Sequence, residues 1–362
     1  MFCERLNWKF YFALVVMCLF FAGCQETQNH DTYGPEPFSI IILPDTQIYP
    51  HDKPEWRNSS LKEVFIQQTT WIAQNKRKEN IQFVLHMGDI VHEQHKPYQW
   101  VNANEAMSIL DGVVPYCFGV GNHDLINRAE EGGIIRDSTN FNNTFSHSRY
   151  ENQPWFGGRM SSDGFLPKDN YDNSYHFFCA GGMEFMIITL EVAPTDEMLD
   201  WANDVVRSHP DKRVMVITHA YLDGDETRVV NEPYAPSGKS NSGEEIWNKF
   251  VRKHKNIFFV FCGHHNNHAD YKGLLASVGD NGNTVYQLIS GEDYDGWLRI
   301  LRFVPAENKI YVKTYSPWKP DDPELQLEQY DFSLPGYNTD PYHQYDIVYE
   351  QRNSVGSYPT KL

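Results

Sequence analysis

Nine residues of this 362-residue chain have the types and spacing to act on one reaction: Asp45, Gln47, Asp89, Asn122, His123, Asp124, His219, His264 and Asn266. They follow five short apolar runs. Phe38 to Pro44 ends at Asp45-Thr46-Gln47, Ile81 to Met87 at Gly88-Asp89, and Val114 to Val120 at Gly121-Asn122-His123-Asp124. Arg213 to Ile217 ends at Thr218-His219, and Ile257 to Cys262 at Gly263-His264-His265-Asn266. Carboxylates, amides and neutral imidazoles are donors that hold divalent cations. Two such cations a few ångströms apart bind phosphate oxygens and lower the pKa of a shared water toward neutrality. Phosphate-ester hydrolysis needs charge stabilisation more than a protein nucleophile. The chain has neither a P-loop nor a Gly-x-Ser-x-Gly elbow, which leaves metals as the chemistry.

Taken singly, each motif has an ordinary explanation. Gly-Asp after a strand is commonly a turn, Asp-Thr-Gln an N-cap, and Thr-His a satisfied strand end. Their succession at five strand ends is what independent turns would not produce. Each run is short and mostly β-branched or aromatic, the composition of a strand buried on both faces. Helical segments intervene. Ser60-Leu61-Lys62-Glu63 predicts a capping box before Val64, Phe65, Trp71 and Ile72, and Ser242-Gly243-Glu244-Glu245 another before Ile246, Trp247, Phe250 and Val251. Met198, Leu199, Ala202, Val205 and Val206 form an amphipathic stripe. Strand alternating with helix predicts an α/β architecture, in which ligands gather at the carboxyl ends of strands.

The order and content of these motifs resemble the calcineurin-like metallophosphoesterase family. Its pattern runs Asp-x-His, Gly-Asp, Gly-Asn-His-Asp or Glu, a His after a strand, and Gly-His-x-His. The resemblance spans about Phe38 to Asn267, and the Asp-Thr-Gln and Thr-His-Ala-Tyr-Leu signatures are similar to those of secreted bacterial members. It implies an α/β (α+β) fold: a four-layer αββα sandwich of two mixed sheets flanked by helices. It also implies two divalent ions (Mn²⁺, Fe²⁺, Zn²⁺ or Mg²⁺) bridged by a carboxylate and by a water or hydroxide. Carried over by position, Asp89 is the bridging carboxylate; Asn122, His219 and His264 complete one metal, and Asp45 belongs to the other. His123 contacts the scissile phosphate or protonates the leaving group, with Asp124 holding its ring.

Two imidazoles of that pattern are missing. Gln47 stands where Asp-x-His has its His, and Asn266 where Gly-His-x-His has its second. Asp45, Gln47, Asp89 and Asn266 would give the first metal only oxygen, which favours Mn²⁺, Mg²⁺ or Ca²⁺ and binds weakly. The expectation is one firm site and one exchangeable site. His265 or His268 offers a replacement imidazole, since one residue of loop slack suffices. Among other histidines, His86 reads as packed in its strand, and His92 and His95 as solvated loop residues or lining of the mouth. Arg136, Arg149 and Arg159 lie in a loop-rich insertion from Leu125 to Asn173, where they either grip a phosphate or sugar or pack the loop down. Substrate selection is expected there.

A formal charge of −17 argues against general binding to nucleic acid or anionic lipid. With 41% hydrophobic and 14% aromatic residues the chain is not disordered. The N-terminus has basic residues, an apolar run from Phe10 to Phe21 and Ala22-Gly23-Cys24, the parts of an export signal ending in a sequence that resembles a bacterial lipobox. The run is shorter than the roughly 20 residues of a spanning helix. The expected organisation is a signal peptide over 1–23, a tether over 24–37 lipidated on Cys24, a catalytic domain over 38–318 and a tail over 319–362 packed on it. Cys117, Cys179 and Cys262 read as buried free thiols. Thr284 to Ile289, Trp297 to Val304 and Lys309 to Tyr315 predict strands that complete the second sheet.

The function expected is an exported, metal-dependent phosphoesterase acting on phosphate mono- or diesters through hydroxide. Its substrate would be a phosphorylated small molecule or glycan, and its only membrane contact the lipid. Two alternatives stay open: a pyrophosphatase or nucleotidase acting on phosphoanhydrides, and a non-catalytic surface binding protein on the same fold.

Overall fold

The computed structural model describes residues 35–51, 61–128, 133–161, 170–265, 273–291, 296–318, 336–337 and 344–349. The apolar runs divide their side chains by alternation. In β1 (Phe38–Leu43), Ile40 and Ile42 enter a central core while Ile41 and Leu43 enter an outer one. In β2 (Ile81–His86), Phe83 and Leu85 face inward and Val84 outward; in β3 (Tyr116–Phe118), Cys117 faces inward and its neighbours outward. These strands run parallel, and burial on both faces is why they read as unbroken apolar segments.

The insertion contributes a small hairpin, β4 (Asn127–Arg128) with β5 (Gly133–Ile134), and an edge strand β6 (Phe156–Arg159). Then come β7 (Ser174–Ala180) and β8 (Met183–Leu190), β9 (Arg213–Thr218), β10 (Ile257–Cys262), β11 (Leu274–Val278) and β12 (Thr284–Ile289). The last strands are β13 (Leu298–Val304), β14 (Lys309–Ser316), β15 (Gly336–Tyr337) and β16 (Gln344–Val348). One sheet is ordered β15-β14-β13-β1-β2-β3, with β16 also on β14; the other is β11-β12-β10-β9-β8-β7-β6. Both are mixed. In the second, β8, β9, β10 and β12 are parallel.

The inner faces of both sheets make one core, with Phe38, Phe185, Ile217, Phe261 and Phe303 among its members. Helices α1 (Lys62–Asn75) and α2 (Pro97–Ser108) cover the first sheet through Val64, Phe65, Ile72 and Ala103, and the short α3 (Thr139–Thr144) adds Phe141. On the second sheet lie α4 (Asp196–Ser208) and α5 (Gly243–Lys249), through Leu199, Val206, Ile246 and Trp247. The layers are helix, sheet, sheet, helix, as the resemblance implies. Among the described residues no helix is long and apolar enough to cross a membrane.

Several local expectations meet the structure differently. Ser242 and Glu245 cap α5 reciprocally, Ser242 N–H donating to Glu245 Oε2 at 2.9 Å. Ser60 lies outside the described residues, and α1 starts after Leu61 without a side-chain cap. β13 and β14 join the first sheet through β1, and only β12 joins the second, because an antiparallel strand's partner is not written in its local pattern. The β7–β8 hairpin was not anticipated. Its signal is Gly181-Gly182, a two-residue turn with φ of +55° and +70°, which suits glycine at both positions. Cys117 and Cys262 are buried and free, whereas Cys179 is exposed and disulfide-bonded. The segment 1–34 lies outside the described residues; of the tail, β16 pairs with β14 and Ile347 and Tyr349 enter the central core.

Candidate metal centre

The carboxyl ends of β1, β2 and β3 in one sheet and of β9 and β10 in the other deliver Asp45, Asp89, Asn122, His219 and His264. His219 ties the two sheets together: its Nδ1–H donates to the Met87 carbonyl at 2.8 Å. Glycines allow the close approach. A Cβ on Gly121 would stand 2.0 Å from Asp89 Oδ1, and Gly88 has a φ of +97° with no room beside the His219 ring. Asp89 and His264 themselves hold positive φ, +48° and +68°, strain of the kind found at functional sites.

Asp89, His219 and His264 each present a ligand atom, all within 4.8 Å of one another. His219 Nε2 lies 2.9 Å from Asp89 Oδ2. Both atoms and Asn122 Oδ1 are buried without a hydrogen-bond partner among the described residues. Buried polar atoms left so are costly, and a cation would satisfy all three. Burial lowers the His219 imidazole, but the charge and contact of Asp89, the Met87 carbonyl and the charge of Asp124 together outweigh it, and the net shift is upward. Burial would raise Asp89, and His219 and His123 instead hold it well below the usual carboxylate range. With His219 neutral, the pair would offer one nitrogen and one carboxylate oxygen to a divalent ion. The donors present fit the metal centre.

Asp45 is fully buried, and its Oδ1 accepts the Gln47 N–H at 3.2 Å. Gln47 Oε1 lies 2.9 Å from His92 Nδ1 and accepts its proton. His123 donates its backbone N–H to Asp89 Oδ1 at 2.7 Å and its Nδ1–H to the His92 carbonyl at 2.6 Å. Asp124 does not hold the His123 ring. Its carboxylate accepts N–H groups of Ile90 at 2.8 Å and Gly121 at 2.9 Å, fixing the two ligand loops to each other. Burial and the neighbouring Asp89 charge push its carboxyl up to about 8. Asn266 and His268 lie outside the described residues. His86 is packed, accepting Gly88 N–H at 3.1 Å and meeting Thr46 Oγ1 at 2.9 Å.

Glu191 and Glu232 escaped sequence reasoning, and His92, one of the two loop histidines considered for the mouth, has a specific partner. His92 stacks on His123, centroids 5.0 Å apart and planes at 18°. Glu191, after β8, is buried and pairs with Arg136, which also donates to Ala193 O at 2.5 Å and Ser240 Oγ at 2.8 Å. Glu232, on the loop between β9 and α5, meets both His264 and His265. The remaining insertion arginines pack the loop: Arg149 bonds Asp111 and Asn104, and Arg159 the Asn170 carbonyl.

A sequence model described as calcineurin-like phosphoesterase matches residues 38–268. The uncharacterized protein YvnB of Bacillus subtilis (strain 168) is 28% identical over 309 residues, covering 82% of this chain and 21% of that protein. The chain thus spans about a fifth of that relative's length. Among solved structures, the purple acid phosphatase PPD1 from yellow lupin (Lupinus luteus) seeds has a TM-score of 0.50 at 13% identity, over 91% of this chain and 58% of that one. A dimetal phosphatase from Danio rerio has a TM-score of 0.47 at 14% identity, over 78% and 97%. At that identity the lupin likeness concerns the fold. The family match runs over the same strands that carry the clustered donors, and the chain belongs to the calcineurin-like phosphoesterases, hydrolases that depend on a dinuclear metal centre.

Proposed function

We propose that this chain hydrolyses phosphate mono- or diesters of a small molecule or glycan, outside the cytoplasm. The observation that carries the reading is the buried meeting of His219 Nε2 and Asp89 Oδ2, 2.9 Å apart, beside Asn122 Oδ1, which has no hydrogen-bond partner among the described residues. Asp89, Asn122, His219 and His264 would hold one divalent ion, and Asp45 with Asp89 the other. Such ions supply charge for the phosphate oxygens and lower the pKa of a shared water. The protein's own part is placement and proton delivery. His123, fixed at Nδ1 by the His92 carbonyl, presents Nε2 to the leaving oxygen and protonates it. Asp124 keeps the His123 loop against the Asp89 loop.

The two ion sites are unequal. Gln47 commits its Oε1 to His92, so among the described residues the Asp45 site has few donors and exchanges its ion, Mn²⁺ or Mg²⁺ by donor type. Two tightly held zinc or iron ions at these donors in purified protein would overturn this. The activity test is hydrolysis of p-nitrophenyl phosphate and its bis-ester after chelation and after restoring Mn²⁺, Mg²⁺, Zn²⁺ or Fe²⁺. Turnover that never depends on metal would contradict the proposal. Export with a lipid on Cys24 rests on Phe10 to Cys24. Cys24→Ser should release the protein from membranes, and unchanged membrane association would refute it.

A further inference from the structure

Glu232 lies in Asn231-Glu232-Pro233-Tyr234, a stretch that no metal motif marks. Its side chain is 3% exposed, and those of His264 and His265 are 8% and 11%. Glu232 Oε1 is 3.2 Å from His264 Nε2 and Oε2 is 2.8 Å from His265 Nε2. The Tyr234 N–H donates to the same Oε1 at 2.9 Å and sets the carboxylate's direction. From the other side, His265 N–H closes a tight turn on Gly263 O at 2.9 Å, while His264 holds a φ of +68°. Two loops are therefore shaped to bring three donors together.

Among the described residues no lysine or arginine pairs with Glu232. A buried carboxylate needs a cation or full hydrogen bonding, and here imidazoles are the side chains that face it. Glu232, His264 and His265 offer atoms all within 4.8 Å of one another. One carboxylate with two imidazoles is a donor set suited to Zn²⁺ and Fe²⁺, with positions left for water or substrate.

We propose that Glu232, His264 and His265 form a cation-binding triad of this chain, adjacent to the Asp89–His219–His264 group and sharing His264 with it. The inference builds on the family metal centre and adds to it a carboxylate from a loop outside the motifs. It also gives His265 a role: the imidazole beside His264 serves Glu232. Because His264 belongs to both groups, filling one site alters the other.

The test is equilibrium zinc binding to the full chain, read as bound equivalents by elemental analysis and as the zinc-induced shift in melting temperature. Glu232→Gln, His265→Ala and Asp89→Asn are compared with wild type, with circular dichroism to establish folding and Glu232→Asp as a conservative variant. Expected are the loss of one equivalent, or at least tenfold weaker binding of it, in Glu232→Gln and His265→Ala, and partial retention in Glu232→Asp. Asp89→Asn should keep the equivalent that Glu232→Gln loses. Equal stoichiometry and affinity in wild type, Glu232→Gln and His265→Ala would overturn the triad. So would weakening in Glu232→Gln confined to the equivalent that Asp89→Asn also loses. Unchanged binding in Asp89→Asn alone would count against the family centre and leave the triad standing.

Discussion

His92 holds His123 in two ways: its carbonyl accepts the His123 Nδ1–H at 2.6 Å, and its ring stacks on the His123 ring at 5.0 Å. The first fixes the tautomer and the second the plane. Its own ring is fixed by Gln47 at 2.9 Å, so a chain of three side chains runs from the β1 loop to His123, the proposed proton donor. His92→Ala keeps the carbonyl and loses the stacking. The expected result is kcat lower by roughly tenfold with KM little changed, against a roughly 10²–10⁴-fold fall for His123→Ala, the usual range for removing a general acid. Equal losses would mean that His123 is not the donor.

Gln47→His would restore an imidazole beside Asp45 while giving up the bond to His92. Zinc retention at the Asp45 site after dialysis should rise about tenfold or more, a consequence of adding a nitrogen ligand to an oxygen site. Unchanged retention measured by elemental analysis would mean that position 47 does not face an ion.

Gly121→Ala places a methyl group 2.0 Å from Asp89 Oδ1 and 2.5 Å from Asp89 N. Both are parts of the ligand loop, so the loop must shift. The expected cost is about 1–3 kcal/mol in stability, as for overpacking generally, together with loss of metal. Thermal unfolding with and without added Mn²⁺ checks it; a variant with wild-type stability and metal content would contradict the packing described.

Burial pushes His86 and His176 down to about 3. Each binds a proton more readily unfolded than folded between pH 6.5 and 3, so the stability it contributes is complete above 6.5 and lost as pH falls toward 3. His176 packs against Phe83, Trp155 and Tyr171, none of them a candidate ligand, which makes it the cleaner position to test. Relative to His176→Gln, the wild type should lose stability as pH drops from 7.5 to 4, by an amount on the order of a few kcal/mol, read as a falling melting temperature. Parallel curves for the two proteins would show that the His176 ring is not held neutral.

Much of the site was legible because its candidate ligands follow strands whose apolar runs announce themselves. Asp45, Asp89, Asn122, His219 and His264 each stand just past such a run, and the order of the runs carries the family pattern. What could not be read came from elsewhere. Glu232 arrives from a turn-like loop 32 residues before His264 and is brought to it only by folding. Glu191 caps β8, a strand hidden in a hairpin whose Gly181-Gly182 turn was the available sign. Asp124 sits next to His123 in sequence but serves backbone groups, since successive residues in a tight loop point apart. The sheet assignment of β13 and β14 depends on their pairing with β1, and pairing is a long-range choice.

The most direct test of the metal-centre reading is p-nitrophenyl phosphate and bis-p-nitrophenyl phosphate hydrolysis by the purified protein, chelated and then reconstituted, beside His123→Ala and Asp89→Asn. Turnover that vanishes on chelation, returns with a divalent ion and is lost in both variants is the expected result. Turnover that survives chelation, or that Asp89→Asn retains in full, would contradict it.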